Sequence, residues 1–254
     1  MKLFSILLLT LFTSSVFSQG TDLRYTEGTA KLKGYLSKPK NVKGKPVGVV
    51  VLHAWMGLTA HEKESADKLA KLGYIALAAD SYGENEAPKN VQDAGKLAGY
   101  YKSNRSIYRA RIKAAIDQVI KAGADPTRIA VIGYCFGGTG ALEAARANFP
   151  VKAVVSIHGG LDKGPEATTE IKPKVLVLHG ADDPFVPKEQ VEAFQNEMRA
   201  AKADWQMIYY ADAVHAFTEP TAGTDKSKGA AYNEVAAKRS WEHMKLFFKE
   251  VFGE

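Results

Sequence analysis

Six apolar runs recur along the chain, at positions 47–52, 75–79, 129–132, 151–157, 175–178 and 207–210, and most are unbroken by a polar side chain. A strand with one wet face alternates, whereas a strand covered on both faces does not, so these runs predict strands buried in a sheet. Between them, apolar positions return at helical spacing over 60–72, 107–122, 139–148, 188–201 and 230–252. Strand alternating with helix predicts an α/β fold, a mainly parallel sheet flanked by helices on both faces. Gly73 and Gly123 stand where the first two helices should stop. Residues 25–36 alternate loosely and precede Pro39, the pattern of an antiparallel edge hairpin. Two stretches, 81–106 and the polar loop 219–229, lack clear periodicity, and no repeat or low-complexity tract is present.

The first residues follow a different pattern. Met1 and Lys2 precede an apolar run from Leu3 to Phe12 broken only by Ser5 and Thr10, and Val16, Phe17 and Ser18 lead to Gln19. This predicts a secretory signal peptide over residues 1–18, cut after Ser18, with export to the periplasm or beyond. The run is too short to span roughly 30 Å of hydrocarbon as an anchor. Residues 19–254 suit one α/β domain with a well-buried core. The net charge of +6 falls to +5 without Lys2, and the basic residues are spread along the chain, which speaks against a nucleic-acid footprint. Cys135 is the one cysteine, so no intramolecular disulfide can form. An exported lone thiol is a liability unless it is buried or used.

Gly133-Tyr134-Cys135-Phe136-Gly137 follows a predicted strand and precedes a helix rich in small residues, including Gly138, Gly140 and Ala141. This is the strand-turn-helix setting of a nucleophile elbow with cysteine in place of serine. The flanking glycines are needed because the sharp turn strains the nucleophile and brings backbone close to backbone. The thiol would then stand at a helix N-terminus whose partial positive charge favours thiolate. The competing reading is a buried structural cysteine beside a tight turn. A cysteine nucleophile needs a base in reach and a carboxylate to orient that base. Asp182 and Asp183 follow the strand predicted to end at Leu178, and His215 follows the one ending at Tyr210, both at carboxyl ends where such sheets place their ligands. Of the other histidines, His61 and His243 fall in predicted helices as surface or packing residues. His179 begins the acidic loop and shapes it, while His53 and His158 end strands and line the pocket without titrating in the mechanism.

Taken in order, several segments resemble the dienelactone hydrolase family over nearly all of the chain after Tyr25. They are residues 51–58 (VLHAWMGL), 79–83 (ADSYG), 133–138 (GYCFGG), 179–187 (HGADDPFVP), His215-Ala216-Phe217 and Tyr232-Asn233. The resemblance implies an α/β-hydrolase fold and ester or lactone hydrolysis, with Cys135 as nucleophile, Asp183 rather than Asp182 as acid, and His215 as base. The oxyanion would be held by the backbone N–H groups of Phe136 and, by the family pattern, Trp55. Trp55 can equally be a core aromatic. The chain departs from the family where members commonly carry a glutamate, at Ala54, and where the dienelactone-cleaving member carries a substrate-anchoring arginine, at Glu219. It has no arginine between Gly83 and Asn104 to serve as the second anchor. Arg105, Arg109 and Arg111 are the possible substitutes, although their helical spacing predicts solvated side chains.

The expected partner is therefore a small ester or lactone. No metal or organic cofactor is implied, since no ligand cluster has metal spacing. Two other classes stay open: a non-catalytic ester- or lactone-binding member of the fold, and a redox role for the lone thiol.

Overall fold

A computed structural model describes residues 20–41, 44–166 and 170–253. The predicted leader lies outside the described residues. An eight-stranded sheet organises the chain, formed by β1 (Thr21–Glu27), β2 (Ala30–Ser37), β3 (Gly48–Leu52), β4 (Ile75–Ala79), β5 (Ile129–Tyr134), β6 (Ala153–Ile157), β7 (Lys174–Gly180) and β8 (Trp205–Tyr210). Their spatial order is β1-β2-β4-β3-β5-β6-β7-β8. The β1–β2 hairpin and the β2–β4 pair are antiparallel, and every other pair is parallel. The loosely alternating 25–36 stretch is thus the edge hairpin it was expected to be. Every residue of β3 to β6 is buried, which is why those runs carry no alternation.

Among the described residues six α-helices cover the sheet: α1 (Ala60–Lys71), α2 (Val91–Ser103), α3 (Arg105–Lys121), α4 (Phe136–Arg146), α5 (Lys188–Ala200) and α6 (Glu234–Phe252). Alternate strand residues point to opposite faces and build two cores. Val49, Val51, Ala130, Ile132 and Val155 pack with Leu69 of α1 and Met244 and Phe248 of α6. Val50, Leu52, Val131, Val154 and Val177 pack with α3 to α5 through Ile112, Ile116, Leu142, Phe194 and Met198. The polypeptide moves one way from β3 to β4 and then returns past β3 to β5. The carboxyl ends of β3 and β5 therefore flank the switch point, where open α/β sheets bind their ligands.

Two expectations need correction. The 81–106 stretch contains α2, a full helix with little apolar stripe. Only Ala94 and Tyr101 are buried along it, Gly95 and Gly99 face open space, and Asn90 caps it by accepting from the Asp93 N–H. A helix that buries so little leaves no periodic signature. Nor are the three arginines of α3 solvated. Arg105 pairs with Glu143 and Asp162, Arg109 with Glu143 and Glu166, and Arg111 with Glu27. Arg146 pairs with Glu143 and Glu197, so the buried Glu143 carboxylate is shared by three guanidinium groups. Their charges are matched within the protein and are not available to anchor a substrate carboxylate.

Candidate active site

Strand β5 runs into Cys135, whose backbone sits at φ +51° and ψ −113°, a left-sided conformation that L residues rarely adopt. The two glycines make the turn possible. A Cβ on Gly133 would lie 2.0 Å from the Gly137 carbonyl oxygen, and one on Gly137 would lie 2.4 Å from that of Leu52. The turn places Cys135 as the residue before α4, with its thiol at the N-terminus of that helix.

His215 lies after β8, and its backbone is fixed by the 219–229 loop, donating its N–H to the Gly229 carbonyl while its own carbonyl accepts from Ala231. Its Nε2 stands 3.0 Å from Cys135 Sγ, and its Nδ1 stands 2.8 Å from Asp183 Oδ2. The Asp183 side chain is 0 % exposed, and its other oxygen accepts the Phe185 N–H at 2.9 Å. Asp182 is exposed and contacts neither group. The structure therefore brings Cys135, His215 and Asp183 into one hydrogen-bonded line and leaves Asp182 outside it. Burial alone would push His215 toward neutrality. The hydrogen bonds to Asp183 and Cys135, with their charges, outweigh it and raise the imidazole to about 10.

Phe136 opens α4 directly after Cys135 and Trp55 lies in the loop after β3, and no hydrogen bond of either backbone N–H to protein is found among the described residues. Trp55 is half-buried and packs against the core as well. Its carbonyl accepts from the Tyr82 hydroxyl at 2.9 Å, and the Tyr82 ring lies against Phe136. The loop is held from a second side by Glu62, which accepts from the Ala54 N–H and from the N–H and hydroxyl of Thr59. His53 completes it: the Ser81 N–H donates to Nε2, so Nδ1 carries the hydrogen and donates to the Ala54 carbonyl.

Sequence reasoning missed the part played by His158. It is fully buried at φ +39°, and its Nδ1 accepts the Cys135 N–H at 3.2 Å, which leaves Nε2 to donate to Thr218 Oγ1 at 2.7 Å. Burial, followed by His215 and His61, keeps this imidazole neutral. Its position at a strand end was the only signal in the sequence. His179 packs edge-on against Tyr209, and His243 meets the Tyr210 hydroxyl, both as packing groups. Phe185, 58 % exposed, stands edge-on to His215 at 5.4 Å and walls one side of the site. Among the described residues no cluster of side chains could hold a metal ion.

Comparison with known proteins identifies the family. The chain is 39% identical to a dienelactone hydrolase-like promiscuous phosphotriesterase from metagenomic libraries, with a TM-score of 0.84 over 91% of this chain and 98% of that one. It is 28% identical to the "Putative carboxymethylenebutenolidase" of Salmonella typhimurium, over 95% of this chain and 87% of that protein. A thermophilic esterase from Thermogutta terrifontis shares the fold, with a TM-score of 0.66 over 93% of this chain and 94% of that one at 17% identity. The dienelactone hydrolase family model matches residues 32–252. This chain belongs to the dienelactone hydrolase family, a family of carboxylic ester hydrolases.

Proposed function

We propose that the protein hydrolyses a small ester or lactone by covalent catalysis at Cys135. The observation that carries this reading is the unbroken line Asp183 Oδ2, His215 Nδ1, His215 Nε2, Cys135 Sγ, with contacts of 2.8 and 3.0 Å. The thiolate attacks the carbonyl carbon, and the resulting oxyanion is held by the N–H groups of Phe136 and Trp55. As the C–O bond breaks, the imidazolium gives its Nε2 proton to the leaving alkoxide, and an acyl thioester remains on Cys135. His215 then takes a proton from water, hydroxide attacks the thioester, and the thiolate leaves with the acid released. Asp183 holds the imidazole in the orientation and tautomer that both half-reactions need.

A chromogenic short ester tests this directly. Chromophore should be released in a burst stoichiometric with enzyme, absent in Cys135→Ala, and iodoacetamide should label Cys135 and abolish turnover together. Full activity in stoichiometrically labelled protein would overturn the assignment, and binding without a burst would favour the non-catalytic reading. With the α3 arginines paired internally, neutral esters and lactones should be cleaved at least as well as anionic analogues of the same size. A phosphotriester belongs in the same panel. The metagenomic relative is described as a promiscuous phosphotriesterase, and a thiolate facing two amide donors also suits attack at phosphorus.

A further inference from the structure

Glu219 carries a largely enclosed carboxyl that the proposed chemistry does not use. It lies in the turn just after His215, with its N–H donating to the Ala216 carbonyl. Its Oε1 stands 3.4 Å from His61 Nε2, at an angle short of a hydrogen bond, and both atoms are buried without a hydrogen-bond partner among the described residues. His61 belongs to the first turn of α1, packs edge-on against Tyr134 at 4.5 Å, and precedes Glu62, the residue that grips Ala54 and Thr59. We propose that Glu219 and His61 are positioning residues. One proton held between Glu219 Oε1 and His61 Nε2 latches the turn that carries His215 onto the helix whose Glu62 holds the oxyanion loop.

The surroundings favour a neutral pair over an ion pair. Burial pushes Glu219 up to about 8, with the Glu62 charge raising it further and His215 drawing it back. Burial also lowers His61, helped by Lys68 and opposed by Glu62 and Glu64. At neutral pH the carboxyl therefore keeps its proton and donates it toward an unprotonated Nε2. The remaining titratable neighbour is the Tyr134 hydroxyl, which burial holds protonated and which bonds to Ser65. Once Glu219 ionises, its carboxylate faces the fully buried Glu62 with no proton to share. The repulsion then acts on the group that fixes the Ala54 amide.

The inference rests on Cys135, His215 and Asp183 being the reacting groups, and one arm of its test does not depend on turnover. Glu219→Gln keeps a donor for His61 that cannot ionise. The alkaline fall in kcat/KM should therefore move from near pH 8 in the natural protein toward the limit set by His215, near 10. His61→Ala, which removes the acceptor, should lower kcat/KM by about threefold to tenfold at neutral pH, the worth of one net hydrogen bond. Infrared spectroscopy of the unaltered protein should show a protonated carboxyl band at pH 7 that titrates near pH 8 and is missing from Glu219→Gln. Superimposable pH–rate profiles, or no such band at pH 7, would overturn the latch. The infrared result stands even if turnover proves to use other residues or a variant folds poorly.

Discussion

Asp182 and Asp183 carry the same chemical group one residue apart, and burial separates them. The Asp183 side chain is fully enclosed and meets both His215 and the Phe185 amide, while Asp182 faces water. Asp183→Asn should cost turnover on the order of 10⁴-fold, the loss seen when a triad loses its orienting carboxylate. Asp182→Asn should cost little, and steady-state kinetics of the two variants provide the comparison. The reverse ranking would place the acid one residue earlier. At Ala54, in the loop after β3, a methyl group stands in place of a carboxylate that could take the thiol proton or repel a thiolate. The imidazolium therefore decides the resting charge. Raised from 6.5 to about 10, it stays protonated through the neutral range, and its contribution to stability is fully present below 6.5 and lost as pH rises through 10. Imidazolium and thiolate stabilise each other, and the N-terminus of α4 adds to the effect. Iodoacetamide should accordingly alkylate Cys135 readily at neutral pH, and more slowly in His215→Ala, which lacks the imidazolium. Ala54→Glu should slow the reaction near neutral pH. An alkylation rate unchanged by both substitutions would rule out the ion pair.

At the scale of elements, α4 serves two structures at once. Its first turn presents the elbow, and its last turn carries Arg146, whose guanidinium binds Glu143 and Glu197 and donates to the carbonyls of Leu161 and Asp162. All three charged side chains are at most 5 % exposed. Removing the cation would take a guanidinium from the buried Glu197 and one of three from the buried Glu143. Arg146→Ala should therefore destabilise the fold by about 3–5 kcal/mol, read as a lower urea midpoint. Lys113→Ala on α3 breaks only the exposed i,i+4 pair with Asp117 and should cost under about 1 kcal/mol. Equal midpoints for the two variants would mean that the buried network contributes nothing beyond a surface pair.

At the scale of the whole molecule, the sheet brings together groups that are far apart in sequence. Cys135 and His215 are 80 residues apart, and their contact depends on parallel strands ending at one edge. No helix among the described residues is long and apolar enough to cross a membrane. We propose that residues 1–18 direct export and are then removed. In a secreting host, intact-mass measurement should find Gln19 as the first residue of the exported protein. Retention of Met1 in the mature product would exclude cleavage.

Much of this arrangement was legible along the chain because it depends on local chemistry. Unbroken apolar runs report strands buried on both faces, helical spacing reports the five helices with a broad apolar face, and the glycines around Cys135 report a turn that tolerates no side chain at those places. The placing of Cys135, Asp183 and His215 at strand ends could be read for the same reason, since each follows its own strand. What depends on partners distant in sequence could not be read. Helix α2 buries too little to show a period, and the α3 arginines looked solvated until folding set Glu143, Asp162 and Glu27 against them. His158 became a second acceptor for the Cys135 amide, beside the Ile157 carbonyl, only through the pairing of β5 with β6, and Glu219 met His61 only because the turn after His215 packs on α1. The sequence alone determined which residues could form elements and carry chemistry. Only the tertiary structure decided which charges are buried together, because desolvation and pairing are properties of the environment that the folded chain creates.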